Sequence, residues 1–399
     1  MKTYQEVIAF LYKQYPTYQN KGINAYKPDL SNITRLCEIA GNPQKNIKTI
    51  HVAGTNGKGS VCNYLTNIYI DSGYRVGTFS SPHLIDFRER ITINHNYIEK
   101  EFIVDFYHQY LAAFKEVSPS FFEWSTVLAF KYFENQKTEI NIIETGLGGR
   151  LDSTNIIEPE IAIITTVGKD HQSILGNTLR DIAKEKAGII KNGTPTLLGA
   201  DIKETKYIFE EIAQENNSKI FQADESKSKN FSLPSYQLNN WNTALKVIEL
   251  LNNQFNIKPI ENEPDKYLTI KGRWQVLAKN PKTIADIGHN AQGMEAIKNQ
   301  IAKEEYEHLH VILGFSRDKN IEAIISKIPK ADYYYLTQSK NERSLPAEEI
   351  KKMMNNVKTE TFSHYSKAYE AVKKQAKQKD LVLITGSAFL VGDILHDFY

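Results

Sequence analysis

Cysteine is nearly missing: only Cys37 and Cys62 occur among 399 residues. Two thiols in so long a chain build neither a disulfide framework nor a thiolate metal cluster. An excess of one charge is also lacking, since 49 Lys and Arg face 47 Asp and Glu for a net +2. That balance excludes a dedicated nucleic-acid surface and a polybasic membrane patch. No apolar run reaches membrane-span length, and the opening MKTYQEVIAFLYKQYP carries no signal-peptide cleavage pattern. A cytoplasmic protein without a membrane segment is expected. Internal repeats and low-complexity tracts are missing too. What remains is an ordinary globular composition, 41% apolar and 24% charged, with length for two domains.

Apolar runs of strand length recur at 49–53, 140–143, 161–167, 284–287, 310–313, 333–336 and 381–384. Helical periodicity fills stretches between them, including 61–71, 179–190, 244–251 and 294–302. Such alternation predicts an α/β protein with mostly parallel sheets covered by helices. The polar stretch NNQFNIKPIENEPDKYL follows Leu251. Beyond it, strand and helix alternate for about 130 residues, enough for an independent Rossmann-like unit. Domains are therefore expected at 1–268 and 269–399.

The strongest local signal follows the first apolar run, as Gly54, Thr55, Asn56, Gly57, Lys58, Gly59 and Ser60 lead into a helix. Glycines let backbone N–H groups approach a polyphosphate, and the helix N-terminus adds its positive end. Lys58 supplies a point charge for the outer phosphates, and Ser60 an oxygen for metal or phosphate. The spacing departs from G-x-x-x-x-G-K-[ST], so a plain Gly-rich turn is the alternative. The strand–loop–helix context favours an NTP site and a P-loop ATPase domain at the N-terminal end.

Glu144 ends another apolar run and is placed to hold magnesium near such a loop. His171 follows the 161–167 run, where ligand sites open in parallel sheets, or it is a turn residue. Read as a helix, 179–190 puts Leu179, Ile182, Ala183, Lys186, Ala187 and Ile190 on one face. Lys186 thus sits on an apolar stripe. Either it snorkels to solvent, or burial favours its neutral, nucleophilic amine, which can capture carbon dioxide as a carbamate.

The chain resembles the Mur ligase superfamily and, within it, the folylpolyglutamate synthase/dihydrofolate synthase family. The matching strings are GNPQ at 41–44, VAGTNGKGS at 52–60, SSPHLIDFRERITIN at 80–94, FFEW at 121–124 and ETGLGGRLDSTNI at 144–156. They continue with DHQSILGNTLRDIAKEKAGIIK at 170–191, GRW at 272–274, DIGHN at 286–290, GFSRDKN at 314–320 and GSAFLVG at 386–392. The resemblance implies that Gly54 to Ser60 hold ATP phosphates, with Asn240, Arg273 and Asp286 holding the nucleotide from the second half of the site. Ser80, Glu144 and His171 match magnesium-ligand positions, with Glu144 between two ions, and Lys186 matches a carbamylated lysine. His289 and Ser387 match positions associated with the incoming glutamate and the reaction centre. Ser120, Phe121, Phe122 and Glu123, with Leu151, Asp152 and Ser153, match segments lining the pterin-bearing substrate.

Implied cofactors are ATP, two Mg2+ ions, the Lys186 carbamate and a monovalent cation. Implied substrates are a pterin or folate, L-glutamate and ATP, handled by a monomer without nucleic acid or membrane. Two departures stand out: YKPDLSNIT at 26–34 replaces a GLERI-like string, and Ala291 follows DIGHN where the family has proline. Asn242 competes with Asn240 for one nucleotide position, and the TAL at 243–245 favours Asn240. Only 53 residues precede Gly54, too few for the extra domain of Mur ligases that take UDP-linked substrates, which favours the folate branch. The expected reaction transfers the ATP γ-phosphoryl group to a carboxylate, and L-glutamate then displaces phosphate, with His289 a candidate proton acceptor. The alternatives are another amide ligase of the superfamily and a P-loop regulatory NTPase. An N-K-x-D guanine string is lacking, which weighs against the latter.

Overall fold

The computed structural model describes residues 2–15, 29–200, 202–225, 233–354 and 358–398. The string at 26–34 therefore lies partly outside the described residues. These residues divide into two compact units. One comprises described parts of 1–168, 172–232 and 236–269, the other those of 169–171, 233–235 and 270–399.

The first unit is built on an eight-stranded sheet. Its strands are β1 (Thr49–Ala53), β2 (Val76–Phe79), β3 (Ile91–Ile93), β4 (Asn96–Tyr97), β5 (Ile140–Glu144), β6 (Ile161–Ile164), β7 (Thr196–Leu198) and β8 (Ile220–Gln222). Their order is β4-β3-β2-β5-β1-β6-β7-β8, parallel from β2 to β8, with β3 and β4 added antiparallel. Strands β1, β5 and β6 are buried along their whole length. Both of their faces are covered, so they read as unbroken apolar runs. On one face, Val61, Leu65 and Ile68 of the helix Lys58–Asp71 pack with Trp241 and Val247 of Ser235–Leu250. On the other, Ile182 and Ala187 of Leu179–Ala187 pack with Ile208 and Phe209.

A separate apolar cluster joins the helices Tyr4–Gln14, Ser31–Ile39, Lys100–Val117 and Phe121–Asn135. Trp124 lies at its centre, fully buried and edge-on to Phe106 at 5.3 Å. It is core, as is Phe121 at 3% exposure, whereas Phe122 is only partly buried against the same cluster.

The second unit has the strands β9 (Gln275–Lys279), β10 (Lys282–Ala285), β11 (Leu309–Leu313), β12 (Tyr333–Leu336), β13 (Thr359–Thr361) and β14 (Leu381–Thr385). The order is β13-β12-β11-β14-β10-β9, parallel except for β9 on β10. Among the described residues no helix is long and apolar enough to cross a membrane.

Element ends differ from the sequence reading for local reasons. The expected strand 161–167 stops at Ile164, because Thr165 and Thr166 turn their side chains to the 54–60 loop. The helix expected over 179–190 stops at Ala187, where Gly188 passes so close to Arg150 that a Cβ would lie 2.3 Å from its Cα. The helix expected at 244–251 begins at Ser235, since the buried Gln237 and Asn240 break its apolar pattern.

Candidate active site

In the first unit the site is assembled at the C-terminal ends of β1, β5 and β2, next to the point where chain crossovers change direction. The loop leaving β1 is fastened to the end of β6. Thr55 N donates to Thr166 O (2.9 Å), Asn56 N to Thr166 Oγ1 (2.9 Å), and Thr165 Oγ1 to Asn56 O (2.6 Å). Gly54 passes so close to Thr165 that a Cβ there would lie 1.9 Å from Oγ1. Gly57 caps the following helix with φ +88°, and a Cβ there would lie 2.4 Å from Asn240 Oδ1. Asn240 is thereby brought onto the loop. Its amide donates to Gln237 Oε1 at 3.0 Å.

Lys58 Nζ donates to Gly54 O at 3.1 Å and lies 4.0 Å from Glu144 Oε1. The other oxygen of Glu144 accepts from Ser81 N at 3.2 Å. Because β2 and β5 pair Phe79 with Ile143, Ser80 and Glu144 leave adjacent strand ends together. Ser60 Oγ and Thr145 Oγ1 are buried without a hydrogen-bond partner among the described residues. Buried hydroxyls without partners are costly, and phosphate oxygens or a bound cation would satisfy them.

Among the described residues, no three His, Cys, Asp or Glu side chains cluster as a ready metal cage. Magnesium seldom needs one, because it takes one or two carboxylates and completes its shell with phosphate and water oxygens. Glu144, the Ser60 hydroxyl and Ser80 fit that donor set. Lys186 is 2% exposed, so it does not snorkel to solvent.

The residues expected to line the organic substrate divide. Ser120 and Glu123 are occupied with each other: Glu123 N donates to Ser120 Oγ (3.2 Å), and Ser120 N to Glu123 Oε2 (2.6 Å), a capping box at the start of Phe121–Asn135. Asp152 is turned into its own loop, accepting from Leu147 N (2.7 Å), Thr154 N (3.0 Å) and Thr154 Oγ1 (2.6 Å). Burial pushes its carboxyl up against those bonds. Thr154 Oγ1 lies 2.8 Å from Nε2 of His51, a wholly buried ring on β1 whose basicity burial drives down to about 3. Leu151 and Ser153 are half-buried in this loop. Phe122 packs on Gly146 and lies 5.7 Å from Phe79, while Phe121 is stacked with Tyr12 at 4.6 Å.

In the second unit Asp170 is a hub that the sequence reading missed. Lys319 Nζ donates to Oδ1 at 2.7 Å, Asn290 Nδ2 donates to Oδ2 at 3.1 Å, and His289 Nε2 lies 3.3 Å from Oδ2. Burial alone would raise the Asp170 carboxyl, but Lys319, His171 and His289 outweigh it and hold it well below the usual carboxylate range. His171 Nε2 is 3.3 Å from Lys319 Nζ. His289 Nδ1 lies 3.0 Å from Ile287 O, so the ring is held between that carbonyl and the Asp170 carboxylate. Asp286 accepts from Trp274 N and Gly288 N, Arg273 Nη1 reaches Gly272 O at 3.5 Å, and Ser387 Oγ lies 3.4 Å from Ser316 Oγ beyond β14. The DH and DK pairs within the strings at 170–191 and 314–320 were the available signal for Asp170 and Lys319.

Comparison with known proteins adds a family. Residues 52–260 match the Mur ligase middle domain, and residues 272–388 the Mur ligase glutamate ligase domain. A dihydrofolate synthase/folylpolyglutamate synthase of Buchnera aphidicola subsp. Schizaphis graminum is 31% identical, over 92% of this chain and 93% of its own. E. coli FolC in complex with DHPP and ADP superposes with a TM-score of 0.87 at 25% identity, over 99% of this chain and 97% of that one. A bifunctional folylpolyglutamate synthase/dihydrofolate synthase from Yersinia pestis, complexed with AMPPNP and Mn ion, gives 0.85 at 26%, over 100% and 98%.

Proposed function

Because the chain belongs to the Mur ligase family, we infer that it is an ATP-dependent ligase joining L-glutamate to a pterin-bearing acid, as its folate-synthase relatives are named. The observation that carries this reading is the 54–60 loop, fastened to β6, with Lys58, Glu144 and the unpartnered Ser60 hydroxyl converging on it. A carboxylate is a poor acceptor for an amine at neutral pH. In the proposed reaction one of its oxygens attacks the γ-phosphorus of ATP, the bond to the β-phosphate bridging oxygen breaks, and ADP leaves. The neutral glutamate amine then attacks the acyl carbon, the acyl carbon–oxygen bond breaks, inorganic phosphate departs with that oxygen, and the nitrogen gives up one proton to solvent or phosphate. Backbone N–H groups of Gly54 to Ser60 hold the phosphates, and Lys58 moves from the Gly54 carbonyl to the charge spread on the transferred group.

Magnesium, which neutralises phosphate charge when bound, would be held by Ser80, Glu144 and His171, with Lys186 contributing as a carbamate. The buried Lys186 amine suits carbamate formation, in which nitrogen bonds carbon dioxide and releases one proton. Asn240, Arg273 and Asp286 are proposed for the nucleotide, and His289 and Ser387 for glutamate. Phe122 and the loop 151–153 are proposed for the flat pterin–benzoyl body, with the buried Phe121 supporting them from behind. Residues 1–268 are thus proposed to supply the phosphate loop and residues 269–399 the glutamate-binding groups, in a cytoplasmic enzyme.

Both activities, glutamylation of dihydropteroate and extension of reduced folates, are proposed. The test is a side-by-side assay at saturating ATP and L-glutamate, and turnover of both acids is expected. Turnover of tetrahydrofolate alone removes the synthase half. Turnover of neither moves the protein to another amide-ligase class.

A further inference from the structure

Arg90 is 4% exposed, and among the described residues no carboxylate lies within ion-pair distance of it. A buried guanidinium without an anion is costly, so its surroundings must compensate or await a ligand. Its Nε donates to His83 Nδ1 at 2.8 Å, and its carbon lies 5.8 Å from the centre of the Phe121 ring. His83 Nε2 is 3.1 Å from the Tyr12 hydroxyl, and the Tyr12 ring stacks on Phe121 at 4.6 Å and 17°. These residues come from three places: the helix Tyr4–Gln14, the 80–90 loop and the start of Phe121–Asn135.

The direction of the chain of bonds follows from donor chemistry. A guanidinium can only donate, so Nδ1 of His83 is the acceptor and the ring proton sits on Nε2. That proton goes to the Tyr12 oxygen. Burial, then the nearby Arg90 charge, keeps the ring neutral, with its basicity lowered to about 3. Nε of Arg90 is thereby used, and among the described residues its two terminal nitrogens make no hydrogen bond, which leaves a planar edge that suits a carboxylate or phosphoryl group. Burial weakens the Arg90 charge, while Tyr12 and Glu144 act in the opposite sense. Ser80 N donates to Arg90 O at 3.0 Å, which ties this arginine to the end of β2 beside Glu144.

We propose that Tyr12 and His83 are positioning residues that aim the terminal nitrogens of Arg90 at an anionic oxygen of the acid substrate. The inference rests on the pterin-acid reading above and names what holds that acid's charged end. Neither residue touches the reacting atoms. Their effect passes through the direction of the guanidinium, with the Tyr12–Phe121 stack fixing the height of Tyr12.

The experiment compares wild type with His83→Phe, His83→Gln and Tyr12→Phe, measuring KM separately for dihydropteroate, tetrahydrofolate, ATP and L-glutamate, with melting curves as a fold control. Losing a hydrogen bond to a charged group corresponds to about ten-fold or more. His83→Phe is therefore expected to raise KM for the acids about ten-fold while KM for ATP and glutamate stays within about two-fold. Tyr12→Phe is expected to act in the same direction by about three-fold, and His83→Gln, which offers both an acceptor and a donor, to restore most of the loss. A folded His83→Phe enzyme with unchanged acid KM overturns the proposal. So does His83→Gln as impaired as His83→Phe, or an equal loss for all substrates. An active wild type with unaffected variants refutes this inference alone, whereas a wild type that turns over neither acid refutes the functional reading with it.

Discussion

Lys58 rests with its ammonium on the Gly54 carbonyl and 4.0 Å from Glu144, contacts that keep it in the loop without engaging it elsewhere. Its charge matters most when phosphoryl charge develops, so Lys58→Ala is expected to lower kcat by about 100-fold or more. Melting should be unchanged, and a variant with near-wild-type turnover would contradict the phosphate-loop reading. His51 gives a prediction of a different kind. Its basicity falls from an ordinary 6.5 to about 3 through burial, and Nδ1 has no partner among the described residues. The unfolded chain therefore binds a proton that the folded chain refuses. Stability from the neutral ring is complete above pH 6.5 and is lost as pH falls towards 3, with a limiting slope of about 1.4 kcal/mol per pH unit. Urea unfolding at pH 7.5 and 5.5 should show His51→Gln losing less stability than wild type, by on the order of 1 kcal/mol. Parallel losses in the two proteins would contradict this.

Elements are placed here by caps and close approaches that hydrophobic periodicity does not report. The S-x-x-E spacing of Ser120 and Glu123 is itself a helix-start signal, yet the sequence reading took both for pocket lining. Their reciprocal bonds assign them to the helix end. Ser120→Ala is expected to cost about 1 kcal/mol of stability and to leave KM for the acid substrate unchanged. A raised KM with unchanged melting would return Ser120 to the pocket. Apolar strands were legible because β1, β5 and β6 are covered on both faces and leave no alternation to misread. The helix Lys100–Val117 and the short strands β3, β4 and β13 carry no comparable run, and their existence depends on packing. Thr165 and Thr166 explain one boundary error: β-branched residues extend the strand pattern, while their hydroxyls serve the phosphate loop.

At the scale of the molecule, strings read along the chain named the phosphate loop, Glu144 and Lys186, because each sits in one continuous stretch. The Asp170 hub was illegible for the opposite reason. Its partners Asn290 and Lys319 lie 120 and 149 residues away, a pairing that only the fold creates. The central claim is that the chain activates a carboxylate by phosphorylating it before amide formation, and the fate of one oxygen atom tests it most directly. Dihydropteroate labelled with 18O in its carboxylate is incubated with enzyme, ATP, magnesium and L-glutamate, and the inorganic phosphate is analysed by mass. The account predicts one labelled oxygen in the phosphate for each glutamyl amide formed. Unlabelled phosphate accompanying amide formation would contradict it.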